Sequence, residues 1–305
     1  MRPSVTYIWG MFHSPRFLVT AVLGLIVGGS FAKEPFKPNL GPDLPSIQVT
    51  CGEVTVMLRQ ASQWTPGRLD FRSSAMTTER SAYGTVFSFP DVGFIGTGHL
   101  ENEPEPLQSL AFILDGQPVA NPTAEMKGST FRFERRSRVR QFDLTCILEI
   151  RDNRLYETTT VHTDEAQPLK LVYHFMHAWA PTVSAFIAGR DANPGQVMTG
   201  VLNDDAALAR KFYINEPVDW MSVYEPKSRQ YGVSRLLETP PQGKPISMIW
   251  NVPGSYRKYY LKSFTNETVP AGFTGTWKMV TTFGAAPEAE WEAAARKTAA
   301  DLGKP

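Results

Sequence analysis

The residues best suited to chemistry are few. Beyond the first thirty-two positions the histidines are His99, His162, His174 and His177. The most suggestive sits in Tyr173-His174-Phe175-Met176-His177. Along a strand alternate side chains share a face, so His177 is expected beside Tyr173, Phe175 and, if the strand continues, Trp179. An imidazole among rings can serve as a general acid toward a sugar stacked on the aromatics. It can equally be a hydrogen-bonded histidine of the core, and the sequence leaves both readings open. His174 and His177, three apart, should point to opposite faces, so no shared metal ion is expected.

In Gly98-His99-Leu100-Glu101, His99 and Glu101 share a face if extended and would bring an acid and a base into one cleft. They could also be polar residues at a loop mouth. The segment Arg132 to Arg140 holds Arg132, Arg135, Arg136, Arg138 and Arg140 against Glu134. Alternation puts Arg136, Arg138 and Arg140 on one face, able to hold the carboxylates or sulfates of an acidic polysaccharide. The other reading is a solvated, charged strand that resists edge-to-edge pairing. Trp64, in Gln63-Trp64-Thr65-Pro66-Gly67-Arg68, lies near turn chemistry and suits a cleft rim. Trp277 and Trp291 fall in periodic settings that suit a core.

Other chemistries lack their signatures. There is no nucleophile elbow, phosphate-binding loop, dinucleotide fingerprint or zinc-protease helix motif, and no cofactor is expected. Gly93, Gly96 and Gly98 lack the spacing and the following helix of a nucleotide loop, and read as a tight strand connection.

The elements that must position these residues are mainly strands. Phe142, Leu144, Cys146, Leu148 and Ile150 alternate, as do Leu169, Leu171, Tyr173, Phe175 and His177, and Trp277, Met279, Thr281 and Phe283. Asp115-Gly116 reads as a hairpin turn needing positive φ, and Arg151-Asp152-Asn153-Arg154 separates two further runs. Helical spacing is convincing only after Pro287, where Trp291, Ala294, Ala295, Thr298 and Leu302 form a stripe, with acids early, bases late and Gly303 behind. A short helix over Ala206 to Lys211 is the one other candidate. The expected fold is all-β, a large antiparallel β-sandwich with a C-terminal α-helix, longer than an immunoglobulin-like module.

The N-terminal segment reads differently. Arg2 and Arg16, the apolar run Phe17 to Val27, and small residues at Ser30 and Ala32 form a secretory signal over 1–32. An uncleaved anchor is the alternative, although the apolar run is short of the ~20 residues of a span. Residues 33–45, with Pro35, Pro38, Pro42 and Pro45, read as an extended linker, and 46–303 as a single domain. The expected location is secreted or periplasmic, with no transmembrane segment after cleavage. Loss of two arginines takes 31 basic and 30 acidic residues to a net charge of −1, which gives no basis for binding nucleic acid. Cys51 and Cys146 could form one disulfide or remain buried thiols.

Thr163-Asp164-Glu165-Ala166-Gln167-Pro168-Leu169-Lys170-Leu171-Val172-Tyr173-His174-Phe175-Met176-His177-Ala178-Trp179 resembles a passage of the aldose epimerases, in the galactose-mutarotase-like supersandwich group. Asp219-Trp220-Met221-Ser222-Val223-Tyr224-Glu225-Pro226 and Tyr256-Arg257-Lys258-Tyr259-Tyr260-Leu261 add to the likeness. The resemblance implies a curved double sheet whose concave face binds carbohydrate, an oligo- or polysaccharide. In that family a histidine protonates the ring oxygen and a glutamate removes the anomeric proton. His177, or else His174, is the matching histidine; Glu225 and Glu267 are candidates for the glutamate by chain position. The asparagine that typically precedes the epimerase histidine is absent. The expectation is an exported carbohydrate-binding or carbohydrate-processing protein. Alternatives are a non-catalytic envelope or matrix protein, and a lyase on acidic glycans using the arginine-rich strand.

Overall fold

The structure, a computed structural model, describes residues 46–78, 84–99, 102–205 and 211–304. The expected signal and linker, Glu101 and all of the candidate helix over Ala206 to Lys211 except Lys211 lie outside the described residues.

Strands dominate, as the alternation requires. One broad sheet has ten strands in the spatial order Val197–Val201, Ala185–Gly189, Trp220–Glu225, Gln230–Glu238, Phe273–Ala285, Arg154–Thr163, Phe142–Arg151, Phe131–Val139, Leu107–Leu114 and Gln117–Pro118. A second has six: Phe212–Glu216, Ile246–Val252, Tyr256–Ser263, Leu171–Trp179, Val86–Phe89 and Gly93–Gly96. Both are antiparallel throughout. A five-stranded sheet near the N-terminal side contains one parallel pair, Ser46–Cys51 beside Glu125–Gly128.

The turns follow the expected chemistry. Asp115 and Gly116 have φ of 50° and 77°, and Asp152 and Asn153 have 53° and 55°. Positive φ at both central residues matches the right-handed twist of the flanking strands. Across the ten-stranded sheet Arg135 faces Cys146, Cys146 faces Thr159, and Thr159 faces Trp277. This row points inward at the six-stranded sheet, among the phenylalanines, leucines and valines of the main core. The C-terminal helix Trp291–Leu302 buries Trp291, Ala295, Ala299 and Leu302. Trp291 stacks on Tyr224 with ring centroids 5.1 Å apart.

One local irregularity corrects the sequence reading. In Leu171–Trp179, His174 pairs with Leu261 and His177 with Tyr259. Three steps on one strand therefore match two on its neighbour, and Phe175 takes φ of 55°. This is a β-bulge, which shifts alternation by one residue. His174 and His177 consequently face the same way, into the space between the sheets. Tyr173, Met176 and Ala178 face outward, so Tyr173 does not share a face with His177. The two cysteines, left open by the sequence, are unbonded. Burial pushes the Cys51 thiol up to about 11.

Candidate functional site

Chemistry gathers on the outward face of the six-stranded sheet. Its third strand, Tyr256–Ser263, sends Arg257, Tyr259 and Leu261 inward and Tyr256, Lys258, Tyr260 and Lys262 outward. The register sets Trp250 on one flank of Lys258 and Ala178 on the other, with Met248 beside Tyr260. The Lys258 ammonium lies 4.9, 5.2 and 5.3 Å from the ring centroids of Tyr173, Tyr260 and Trp250. Ring faces carry negative charge density and attract a cation at this range. Burial nevertheless disfavours the charged form and lowers the Lys258 pKa to about 7. Burial also raises the Tyr260 phenol to about 12.

The aromatic band continues on both sides. Tyr173 and Tyr260 approach to 5.1 Å between centroids. The Tyr173 hydroxyl is 2.9 Å from His99 Nε2, and Phe94 stacks on His99 at 5.4 Å. At the other end Phe212 lies 6.4 Å from Trp250. Phe94 and Phe212 are exposed, while Tyr173, Lys258 and Tyr260 are buried. His99 reaches this face through a tight connection, its amide donating to the Gly96 carbonyl at 2.7 Å. Gly96 has φ of 131°, and a Cβ there would come within 2.6 Å of the Thr85 carbonyl oxygen. Only glycine fits that approach.

His177 belongs to a different place. Its Nε2 is 2.7 Å from Glu157 Oε2, and both residues are buried. Glu157 comes from the ten-stranded sheet, so the pair bridges the two layers. Glu157 also lines a crevice of about 50 Å³ with Trp64, Arg135, Cys146 and Phe175. That space suits water, not a sugar. His174 accepts or donates a bond to the Thr85 hydroxyl at 3.1 Å and stacks on Trp277 at 4.1 Å. Burial drives its pKa down to about 3. Among the described residues no three His, Cys, Asp or Glu side chains gather as metal ligands.

The residues singled out from sequence thus separate. His99 and Tyr173 meet on the outward face. His177 and Trp179 lie on the opposite side of the same sheet, Trp179 fully buried against Phe283. Trp64 has φ of 63° and packs edge-on against Phe112 at the rim of the small crevice. Arg136 and Arg138 are exposed on the side of the ten-stranded sheet away from the core. Arg136 pairs with Glu134 at 3.1 Å, and Arg138 donates to the Arg140 carbonyl at 2.9 Å. This is the solvated-strand arrangement. Glu225 accepts from the amide and hydroxyl of Ser228, and Glu267 pairs with Lys244.

Sequence reasoning missed Lys258, Trp250 and Tyr260 as site residues, and Glu157 as the partner of His177. The alternation in Tyr256-Arg257-Lys258-Tyr259-Tyr260-Leu261-Lys262 was the available signal. Glu157 stands alone among Leu155, Thr159 and Val161 on the core face of its strand.

Comparison with known proteins adds likeness of fold alone. No family model and no curated protein matches the sequence. Among solved structures, the Slr1438 protein of Synechocystis sp. PCC 6803 is 8% identical with a TM-score of 0.51, over 83% of this chain and 99% of that one. A putative aldose 1-epimerase of Escherichia coli is 9% identical with a TM-score of 0.45, over 79% and 99%. The heparan sulfate lyase HepC of Pedobacter heparinus is 6% identical with a TM-score of 0.41, over 77% and 34%. The structural neighbours include galactose-mutarotase-like proteins and lyases at low identity, and the likeness is a distant one of fold. No helix among the described residues is long and apolar enough to cross a membrane.

Proposed function

We propose that this chain is an exported carbohydrate-binding protein whose site is the outward face of the six-stranded sheet. The observation that carries this reading is two groups of rings, Phe94, His99, Tyr173 and Tyr260 on one side of Lys258 and Trp250 and Phe212 on the other, with Phe94 and Phe212 exposed at the two ends and the middle buried. The exposed rings of Phe94 and Phe212 can cover the apolar faces of a pyranose. The His99–Tyr173 pair also supplies a proton-transfer couple. Glu225 and Glu267 are bonded elsewhere, to Ser228 and Lys244.

The test is glycan-array screening of the full chain, followed by titration of the best ligand against tryptophan fluorescence. Trp250→Ala should weaken binding roughly tenfold, the scale of a lost ring-stacking contact. His177→Gln, on the other side of the sheet, should leave affinity within about twofold, as distant sites behave additively. Absence of any glycan binding at millimolar concentration would remove this reading.

A further inference from the structure

Independently of the sugar reading, we propose that Cys146 is a peroxide-reactive thiol, oxidised to a sulfenic acid by a small hydroperoxide in the crevice between the two large sheets. The first observation is a row of side chains that strand register builds. Arg135, Cys146 and Thr159 are partners across three neighbouring strands, and all three line the crevice of about 50 Å³. Cys146 is half-buried there, unlike the buried Cys51. Oxidation of a cysteine to sulfenic acid depends on access to the sulfur and on the charged and polar groups around it.

The second observation is the set of donors around the sulfur. Arg135 Nη2 donates to Cys146 Sγ at 3.4 Å, and Thr159 Oγ1 lies 3.8 Å from it. Thr85 donates to Thr159 Oγ1 at 3.1 Å, so the Thr159 hydroxyl has its own hydrogen left to give. Arg135 is 2% exposed, and its Nε is buried without an acceptor among the described residues. A buried donor left unmet is costly, and a small oxygen ligand in the crevice would supply an acceptor. A space of this size takes a water-sized molecule, and hydrogen peroxide is little larger.

These groups match the charge that moves when a thiol meets a peroxide. The Cys146 sulfur attacks one peroxide oxygen, so a sulfur–oxygen bond forms and the oxygen–oxygen bond breaks. The electron pair of the broken bond goes to the departing oxygen, which takes the proton given up by the thiol and, from hydrogen peroxide, leaves as water. Sulfur is oxidised, the peroxide is reduced, and the product is the sulfenic acid of Cys146. Negative charge passes from sulfur to the departing oxygen, and a guanidinium and a hydroxyl beside the sulfur can donate to it throughout. Among the described residues no second thiol lines the crevice, so the sulfenic acid has no disulfide partner within the site.

The experiment exposes the full chain to hydrogen peroxide, then unfolds it in dimedone and reads both cysteines by peptide mass. Cys146 should gain the sulfenic-acid adduct at least roughly tenfold faster in the folded chain than in the chain unfolded in urea, the scale of one charge-assisted hydrogen bond to the reacting atoms. Cys51, whose thiol burial pushes up to about 11, should stay unlabelled in the folded chain. Cumene hydroperoxide should react with folded Cys146 at least roughly tenfold more slowly than hydrogen peroxide, because its bulk does not enter the crevice. Thr159→Val keeps the shape of the side chain and removes the donor, and should slow the reaction with hydrogen peroxide severalfold. Equal rates at Cys146 in the folded and unfolded chains would overturn the inference, since the fold would then give the sulfur no help. Equal rates with the two peroxides would also overturn it, since the sulfur would then react outside the crevice. Both comparisons use the unaltered protein, so the test stands even if Thr159→Val does not fold.

Discussion

Two ionisable side chains of the six-stranded sheet, His174 and Lys258, are held against their ordinary charge by burial, and they lie on opposite faces. His174 has the simpler surroundings: a threonine hydroxyl and a tryptophan ring. Its pKa falls from 6.5 to about 3 through desolvation alone. Between those values the unfolded chain takes up a proton that the folded chain refuses. Stability contributed by the neutral imidazole is therefore complete above about pH 6.5 and is lost as pH falls toward 3, at up to about 1.4 kcal/mol per pH unit. Urea unfolding at pH 7, 5.5 and 4.5 should show this dependence. In His174→Gln, which removes the titrating group, the slope should be shallower by close to one proton. Identical slopes in the two proteins would mean that His174 takes a proton in the folded state as readily as in the unfolded one.

At the scale of elements, the tight connection after Gly93–Gly96 does for His99 what the register does for Lys258: it brings a polar group onto a ring-lined face. A Cβ at residue 96 would meet the Thr85 carbonyl, and positive φ adds strain of about 1–3 kcal/mol for a non-glycine residue. Gly96→Ala should lower thermal stability and weaken sugar binding together, as His99 loses its distance to Tyr173. Unchanged sugar affinity would separate that connection from the site. Much of this level was legible beforehand. The alternation from Phe142 to Ile150, the Asp115-Gly116 turn and the terminal helix all follow from local pattern and turn chemistry. The bulge at Phe175 was not, because a phenylalanine carries no turn signal and its φ is imposed by pairing with a strand over eighty residues away in sequence. That single extra residue took Tyr173 off the face of His177, which keeps Trp179 beside it. Lys258 was hidden for a similar reason. Its alternation with tyrosines can be read, but the rings of Trp250 and Tyr173 reach it only through the order of neighbouring strands.

At the scale of the whole molecule, the two large sheets are held together by more than apolar packing. Arg135 of the ten-stranded sheet is buried with Glu105, their atoms 3.2 Å apart. The same guanidinium donates to the Thr97 hydroxyl just past the end of the six-stranded sheet and to the Gln63 carbonyl beside the five-stranded one. Ser137 donates to Glu105 as well. One cation thus meets groups at or beside the three larger sheets, at the end of the sandwich from which the His99 connection departs. Taking two charges out of water is costly, and the pair is sustained by its added hydrogen bonds. Removing one member should therefore do more harm than removing both. Glu105→Ala leaves a buried guanidinium uncompensated and should cost about 3–5 kcal/mol. The double variant Glu105→Leu with Arg135→Met should recover most of that loss, because the charge and its desolvation disappear together. Chemical denaturation of the single and double variants supplies the comparison. A double variant as unstable as Glu105→Ala would show that the hydrogen bonds of Arg135 to the neighbouring sheets, independent of its charge, hold that end of the sandwich closed.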